Sequence, residues 1–136
     1  VRDSLELVGG FPATREELFQ FPAIVLGSIE ASFFRGDQLR MLHEFVSQRG
    51  GSILALGGRS ALGEGGFAGT PLAEVLPVAV VARDRDEDEP PVTLTVRPTA
   101  AGREHAALQL STTASAALAK WDSLPPLTAV NRVGPL

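Results

Sequence analysis

The amino-acid sequence predicts a three-layer α/β domain with a mostly parallel sheet and an antiparallel addition. Three observations predict it. Two short apolar runs, Ala23–Gly27 and Ser52–Leu56, are bounded by breakers, as strands buried on both faces of a parallel sheet are. Between them, Leu39, Leu42, Phe45 and Val46 recur at the three- and four-residue spacing of one buried helical face. Strand, helix and strand thus follow within about 35 residues, the size of a right-handed crossover. Beyond the second run the chain is crowded with glycine up to Gly69, just where ligands bind in open α/β sheets, past the strands' C-terminal ends.

Val1–Gly10 holds a weak apolar alternation, read as the remnant of an edge strand. Thr14 followed by Glu17 is a capping-box pattern, so a short helix is expected there, stopped by Phe21-Pro22. Ala23–Ser28 is the first strand, rich in β-branched and aliphatic residues. A polar and aromatic loop, Ser28–Phe34, leads to a helix expected to be capped by Asp37 and to run to about Arg49, with Met41 on the margin of its buried face. Gly50-Gly51 supplies the glycine of a left-handed C-cap. The second strand spans residues 52–57. Thr70-Pro71 reads as a cap and a proline at the first helical position, giving one or two turns. Pro77 opens a third parallel strand near 77–82. Arg83–Glu89 is a charge run, read as a solvated loop. Residues 92–97 alternate with period two, as an antiparallel strand with one wet face does. Thr99–His105 is a turn or single helical turn, Ala107–Leu110 a short extended segment, and Thr113–Lys120 a helix by propensity. Trp121 anchors the segment that follows, before Pro125-Pro126.

Composition narrows the function classes. The 136 residues suffice for one domain with a real core, and residues 1–136 read as a single domain, an excerpt of a longer protein. A net charge of −4 and no basic run argue against a nucleic-acid partner. The chain has no cysteine, which removes thiolate ligands, disulfides and cysteine nucleophiles. Two isolated histidines make zinc improbable, and no metal site or cofactor is expected. No apolar run approaches the roughly 20 residues that cross a bilayer, so no direct membrane insertion by this segment is expected.

The glycine loop fits neither nucleotide fingerprint. Gly63-Glu64-Gly65-Gly66 lacks the strand–GxGxxG–helix context, and no lysine completes a phosphate loop. The strand-to-glycine transition has the form of a nucleophile elbow. Two serines lie near it: Ser60 just beyond, and Ser28 at the end of the neighbouring strand. A serine nucleophile needs a base and an oxyanion hole, and Glu30, His43 and His105 are the candidate bases. The plainer reading has these serines satisfying loop backbone. Arg59 and Glu64 flank the elbow, either as an ion pair that closes the loop or with Arg59 as an anion anchor aided by the glycine amides. Phe33, Phe34 and Phe67 either wall such a pocket or pack onto the sheet rim.

Val25–Ser28, Gln38–Val46 and Gly50–Gly58 together resemble the class I glutamine amidotransferase-like superfamily: a strand ending in a small polar residue, a helix of the type QL..L..FV..GG, and a strand into an elbow. More narrowly, Phe11–Thr14, Gly66–Leu72 and Trp121–Leu127 resemble an uncharacterised bacterial branch, whose members are often fused to von Willebrand factor A-type domains in membrane-anchored proteins. A looser likeness of the strand-to-glycine region to trehalose-utilisation-type members implies a sugar-related role. The resemblance covers most of Phe11–Asn131 and implies a flavodoxin-like fold. It also implies a cysteine in the elbow and a later His-x-Glu, and this chain departs from both: Gly57 or Gly58 stands at the cysteine's position, and no His-x-Glu follows.

The expectation is therefore a non-catalytic binding or interaction domain, with a hydrolase rebuilt on Ser28 or Ser60 and Glu30 as the alternative. Its partners would be other domains of the parent protein or a second copy. A small polar ligand would sit in a crevice rimmed by Glu30, Arg59, Ser60 and Glu64, over the amides of Gly57 and Gly58.

Overall fold

The computed structural model describes residues 10–83 and 93–134. The protein is α/β, mixing helices and strands around a small two-stranded parallel sheet. It divides into two compact units: the described parts of Val1–Asp86 with Asn131–Leu136, and those of Glu87–Val130. The remnant edge strand read over Val1–Gly10 and the charge run after Arg83 fall outside the described residues, save for Gly10 and Arg83 themselves.

In the first unit α1 (Arg15–Leu18) begins with the expected capping box: Thr14 Oγ1 accepts from the Glu17 amide at 3.2 Å, and Glu17 Oε2 accepts from the Thr14 amide at 3.3 Å. The chain then enters β1 (Ala23–Leu26), α2 (Gly36–Ser47) and β2 (Ser52–Ala55). The two strands pair in parallel, with Ala23 opposite Ser52 and Leu26 opposite Ala55. The strand–helix–strand order and the parallel pairing are present as predicted. α2 starts two residues earlier than a cap at Asp37 would place it, with Arg35 at the N-cap position, because Gln38 Oε1 reaches back to the Arg35 amide at 2.9 Å. Asp37 instead takes the Arg35 guanidinium at 3.2 Å, and that hydrogen bond holds its carboxyl below the usual carboxylate range. At the other end Gly50 adopts φ +73°, and the Gly51 amide donates to the Phe45 carbonyl at 2.8 Å. A Cβ on Gly51 would stand 2.3 Å from the Phe45 ring, so the glycine lets strand and helix approach closely.

The buried stripe Leu39, Leu42 and Phe45 packs with Leu18, Leu26, Phe34, Phe67 and Leu72 into one core. Leu72 belongs to a 3₁₀ turn at Pro71–Val75 with proline at its start as the sequence predicts. Thr70 holds the N-cap position, but its hydroxyl donates to the Phe67 carbonyl at 2.7 Å and does not cap the turn. α2 and this turn lie against one another and cover one face of the sheet. The other face is bare among the described residues: Val25 is 62% exposed, Leu54 56% and Leu56 47%. Burial on both faces was the expectation, and it fails because an apolar run does not specify what covers it. The third strand is corrected too. Residues 77–82 contribute only an isolated antiparallel bridge, Ala79 to Gly134, and do not extend the parallel sheet.

The second unit combines local bonds with two longer-range ties, the Leu94–Leu127 bridge and the Arg97–Asp122 ion pair at 3.0 Å. α3 (Ala100–Glu104) is capped by Thr99 and α4 (Ala114–Asp122) by Thr113, both where the sequence predicts a helical turn or helix. Ala106–Leu108 is a 3₁₀ turn rather than an extended segment, its start held by His105 Nδ1 accepting from the Ala107 amide at 3.2 Å. The alternating segment Thr93–Arg97 makes one antiparallel bridge, Leu94 to Leu127, in place of a strand, and it is exposed on both faces. Trp121 anchors within this unit, its indole N–H donating to the Leu108 carbonyl at 2.9 Å.

Candidate functional site

Parallel strands end at the same edge, so the loops that leave β1 and β2 must meet there. They do. Ser28, two residues past β1, accepts through Oγ from the Ser60 amide at 3.2 Å. Ser60 in turn donates from Oγ to Glu30 Oε1 at 3.2 Å, and Ser32 donates to the other carboxylate oxygen at 3.3 Å. The Ala31 amide donates to the Gly65 carbonyl at 2.7 Å, binding the first loop to the far side of the second. Gly58 makes this approach possible. A Cβ there would stand 2.6 Å from Cβ of Ser28, so only glycine lets the two strand ends touch.

The glycine loop is wound on itself. Ala61, Gly65 and Phe67 donate backwards to the carbonyls of Gly58, Ala61 and Leu62 at 3.0–3.1 Å. Leu62 (φ +52°) and Gly66 (φ +75°) turn through the left-handed region. Phe67 and Phe34 are buried beneath it and pack onto the rim, while Phe33 is 62% exposed.

Asn131 closes the arrangement. Its Oδ1 accepts from the Gly58 amide at 2.8 Å, and its Nδ2 donates to the carbonyls of Gly58 at 3.0 Å and Ala61 at 3.2 Å, and to Glu64 Oε2 at 2.8 Å. One side-chain amide thus takes the elbow's N–H and shares its two N–H donors among two loop carbonyls and the Glu64 carboxylate. The amide of Gly58, expected bare and ready for an anionic or hydroxyl-bearing guest, is taken; that of Ser60 is taken by Ser28. A cavity of about 20 Å³ borders the strand ends, between Gly27, Leu56, Ala61 and Leu76. That volume is room for about one water.

The residues singled out in the sequence therefore separate. Ser28, Glu30, Gly58 and Ser60 form one hydrogen-bonded group. Glu64 joins it through Asn131, and a Cβ on Gly57 would stand 2.8 Å from Asn131 Oδ1, so this glycine gives the amide room. Arg59 is exposed and enters none of these bonds, and among the described residues it forms no ion pair with Glu64. Of the candidate bases, only Glu30 is hydrogen-bonded to a candidate serine among the described residues. His43 faces Glu74 at 3.8 Å and Ser47 at 3.4 Å on the flank of α2, while His105 caps its own turn in the second unit. Among the described residues no three metal-ligating side chains converge, and no helix is long and apolar enough to cross a membrane.

Sequence reasoning missed Asn131. It lies 73 residues from Gly58 in a short strap of no evident periodicity, and the Asn-Arg-Val-Gly-Pro sequence around it carries no local signal of that contact. No family model, curated protein or solved structure matches this chain.

Proposed function

We propose that this protein is a non-catalytic binding or interaction domain, built on a glutamine amidotransferase-like scaffold of the three-layer, flavodoxin-like kind. The observation that carries the reading is the closed strand end. Acyl-transfer catalysis needs a nucleophile and free, preorganised N–H donors where negative charge develops. Here glycine stands at the elbow, and its amide is already bonded to Asn131 at 2.8 Å. The bare sheet face supports the interaction half of the reading. Parallel sheets are ordinarily covered on both sides, and Val25, Leu54 and Leu56 leave one side apolar and open. Other domains of the parent protein, or a second copy, are the partners such a face suits.

The second reading, a rebuilt hydrolase, draws on the Ser60 to Glu30 hydrogen bond at 3.2 Å. A carboxylate is a weak base for a serine hydroxyl, since their ordinary pKa values lie far apart. One experiment separates the two. The full chain is incubated with glutamine, followed for ammonia, and with p-nitrophenyl acetate, followed for nitrophenolate. The binding reading expects no release above blank in either assay. A rate that survives purification and disappears in Ser60→Ala would replace it with the hydrolase reading.

A further inference from the structure

The second unit contains a cavity that the strand-end reading does not use. It measures about 120 Å³ and lies between α3, the 3₁₀ turn and α4, with Leu108, Ala117, Leu118 and Trp121 among its apolar walls. Arg103, in the last turn of α3, also lines it. No aspartate or glutamate does, and among the described residues no carboxylate pairs with Arg103. The neighbouring cation, Arg97, is spent on Asp122 at 3.0 Å. The Trp121 ring is held in place by its bond to the Leu108 carbonyl, so one wall is rigid.

We propose that this cavity binds a small monocarboxylate with a compact apolar body, its carboxylate on Arg103 and its body against Trp121 and Leu118. Size sets the body: an apolar cavity of about 150 Å³ accommodates benzene, so a single ring or a branched chain of similar bulk is the upper limit. Charge sets the head group, because a guanidinium with no acidic neighbour in the cavity wall matches a carboxylate in a paired, charge-assisted geometry. A neutral ring would fill the walls and leave Arg103 unused. A bare anion such as acetate would meet Arg103 and leave the walls unfilled.

The chain contains a single tryptophan, so its indole N–H gives one resonance, and that resonance sits in the cavity wall. The test titrates the full chain with benzoate, benzyl alcohol and acetate while this signal is followed. Benzoate is expected to shift it saturably, about tenfold more tightly than benzyl alcohol, the advantage a charge-assisted hydrogen bond supports, with acetate not saturating over the same range. Arg103→Gln, at an exposed position, should bring benzoate down to benzyl alcohol. Ala117→Leu, which fills the cavity, should abolish both responses. Equal affinity for benzoate and benzyl alcohol in the unaltered chain would overturn the proposal. So would a benzoate response unchanged in Arg103→Gln, or no saturable shift at all.

Discussion

The two units are made of similar pieces, short helices capped by threonine and single turns of 3₁₀ helix, yet only one has a core of buried side chains. In the first, Leu18, Leu42, Phe45 and Leu72 are almost wholly enclosed. In the second, no described residue is buried, and Leu118 and Trp121 are only half-covered. Connectivity makes the difference. The strand–helix–strand crossover brings β1 and β2 together across α2, so residues far apart in sequence share one apolar stripe. In the second unit, caps and side-chain-to-backbone bonds such as Trp121 to Leu108 span about a dozen residues or fewer. Its longer ties, the Leu94–Leu127 bridge and the Arg97–Asp122 pair, join exposed residues and enclose no apolar stripe. Local bonds shape helices, but burial supplies most of what holds a fold together.

The sharpest way to break this comparison is to remove side-chain volume from each unit. Phe45→Ala empties the centre of the first core and is expected to cost about 3–5 kcal/mol in denaturant unfolding. Leu118→Ala, at a half-covered position, should stay below about 2 kcal/mol, beneath the range of buried leucine truncations. If the two costs are equal, the second unit is stabilised by burial that its exposures conceal, and the contrast fails.

What was legible in the sequence follows the same division. The helical face Leu39, Leu42, Phe45 and Val46, the box at Thr14 and Glu17, and the left-handed glycine at residue 50 are local patterns, and each appears where it was read. The meeting of Ser28, Glu30 and Ser60 was legible as well, because parallel strands dictate where their loops go. Patterns that need a partner were misread. The alternation at residues 93–97 and the apolar run after Pro77 have strand chemistry, but each found one bridging residue in place of a strand. Val25 and Leu54 point away from α2 onto a face that nothing described covers. Arg59 and Glu64, close in sequence and opposite in charge, suggested a pair, whereas Glu64 bonds to Asn131 from the other end of the chain.

That long-range bond sharpens the comparison at the next magnitude down. Asn131→Ala leaves the Gly58 amide and the Glu64 carboxylate without the partner each now has, at part-buried positions. The expected loss is about 1–3 kcal/mol, the cost of unsatisfied groups rather than of lost packing. It should appear in the same unfolding transition that Phe45→Ala shifts, because strap and crossover belong to one unit. Asn131→Asp should not restore it, since a carboxylate offers no donor to the Gly58 and Ala61 carbonyls and faces Glu64. Full stability in Asn131→Asp would show that the strap is not what closes the strand ends.

The smallest effect is the most discriminating, because it applies one chemical change to both units. Thr14 Oγ1 accepts from the Glu17 amide at 3.2 Å, and Thr113 Oγ1 accepts from the Ala116 amide at 3.3 Å. Replacing either threonine by alanine removes the same kind of bond, worth about 1 kcal/mol at a helix start. The consequences should differ. α1 carries Leu18, which is 1% exposed and part of the core, so Thr14→Ala should lower the stability of the first unit by about that amount. α4 contributes no buried residue, so Thr113→Ala should leave that transition within about 0.5 kcal/mol, as surface changes do. Its effect should show instead as lost helicity in α4 and a displaced Trp121 indole resonance. Equal losses in one cooperative transition would mean that the units unfold together and that the second is stabilised by more than its local bonds.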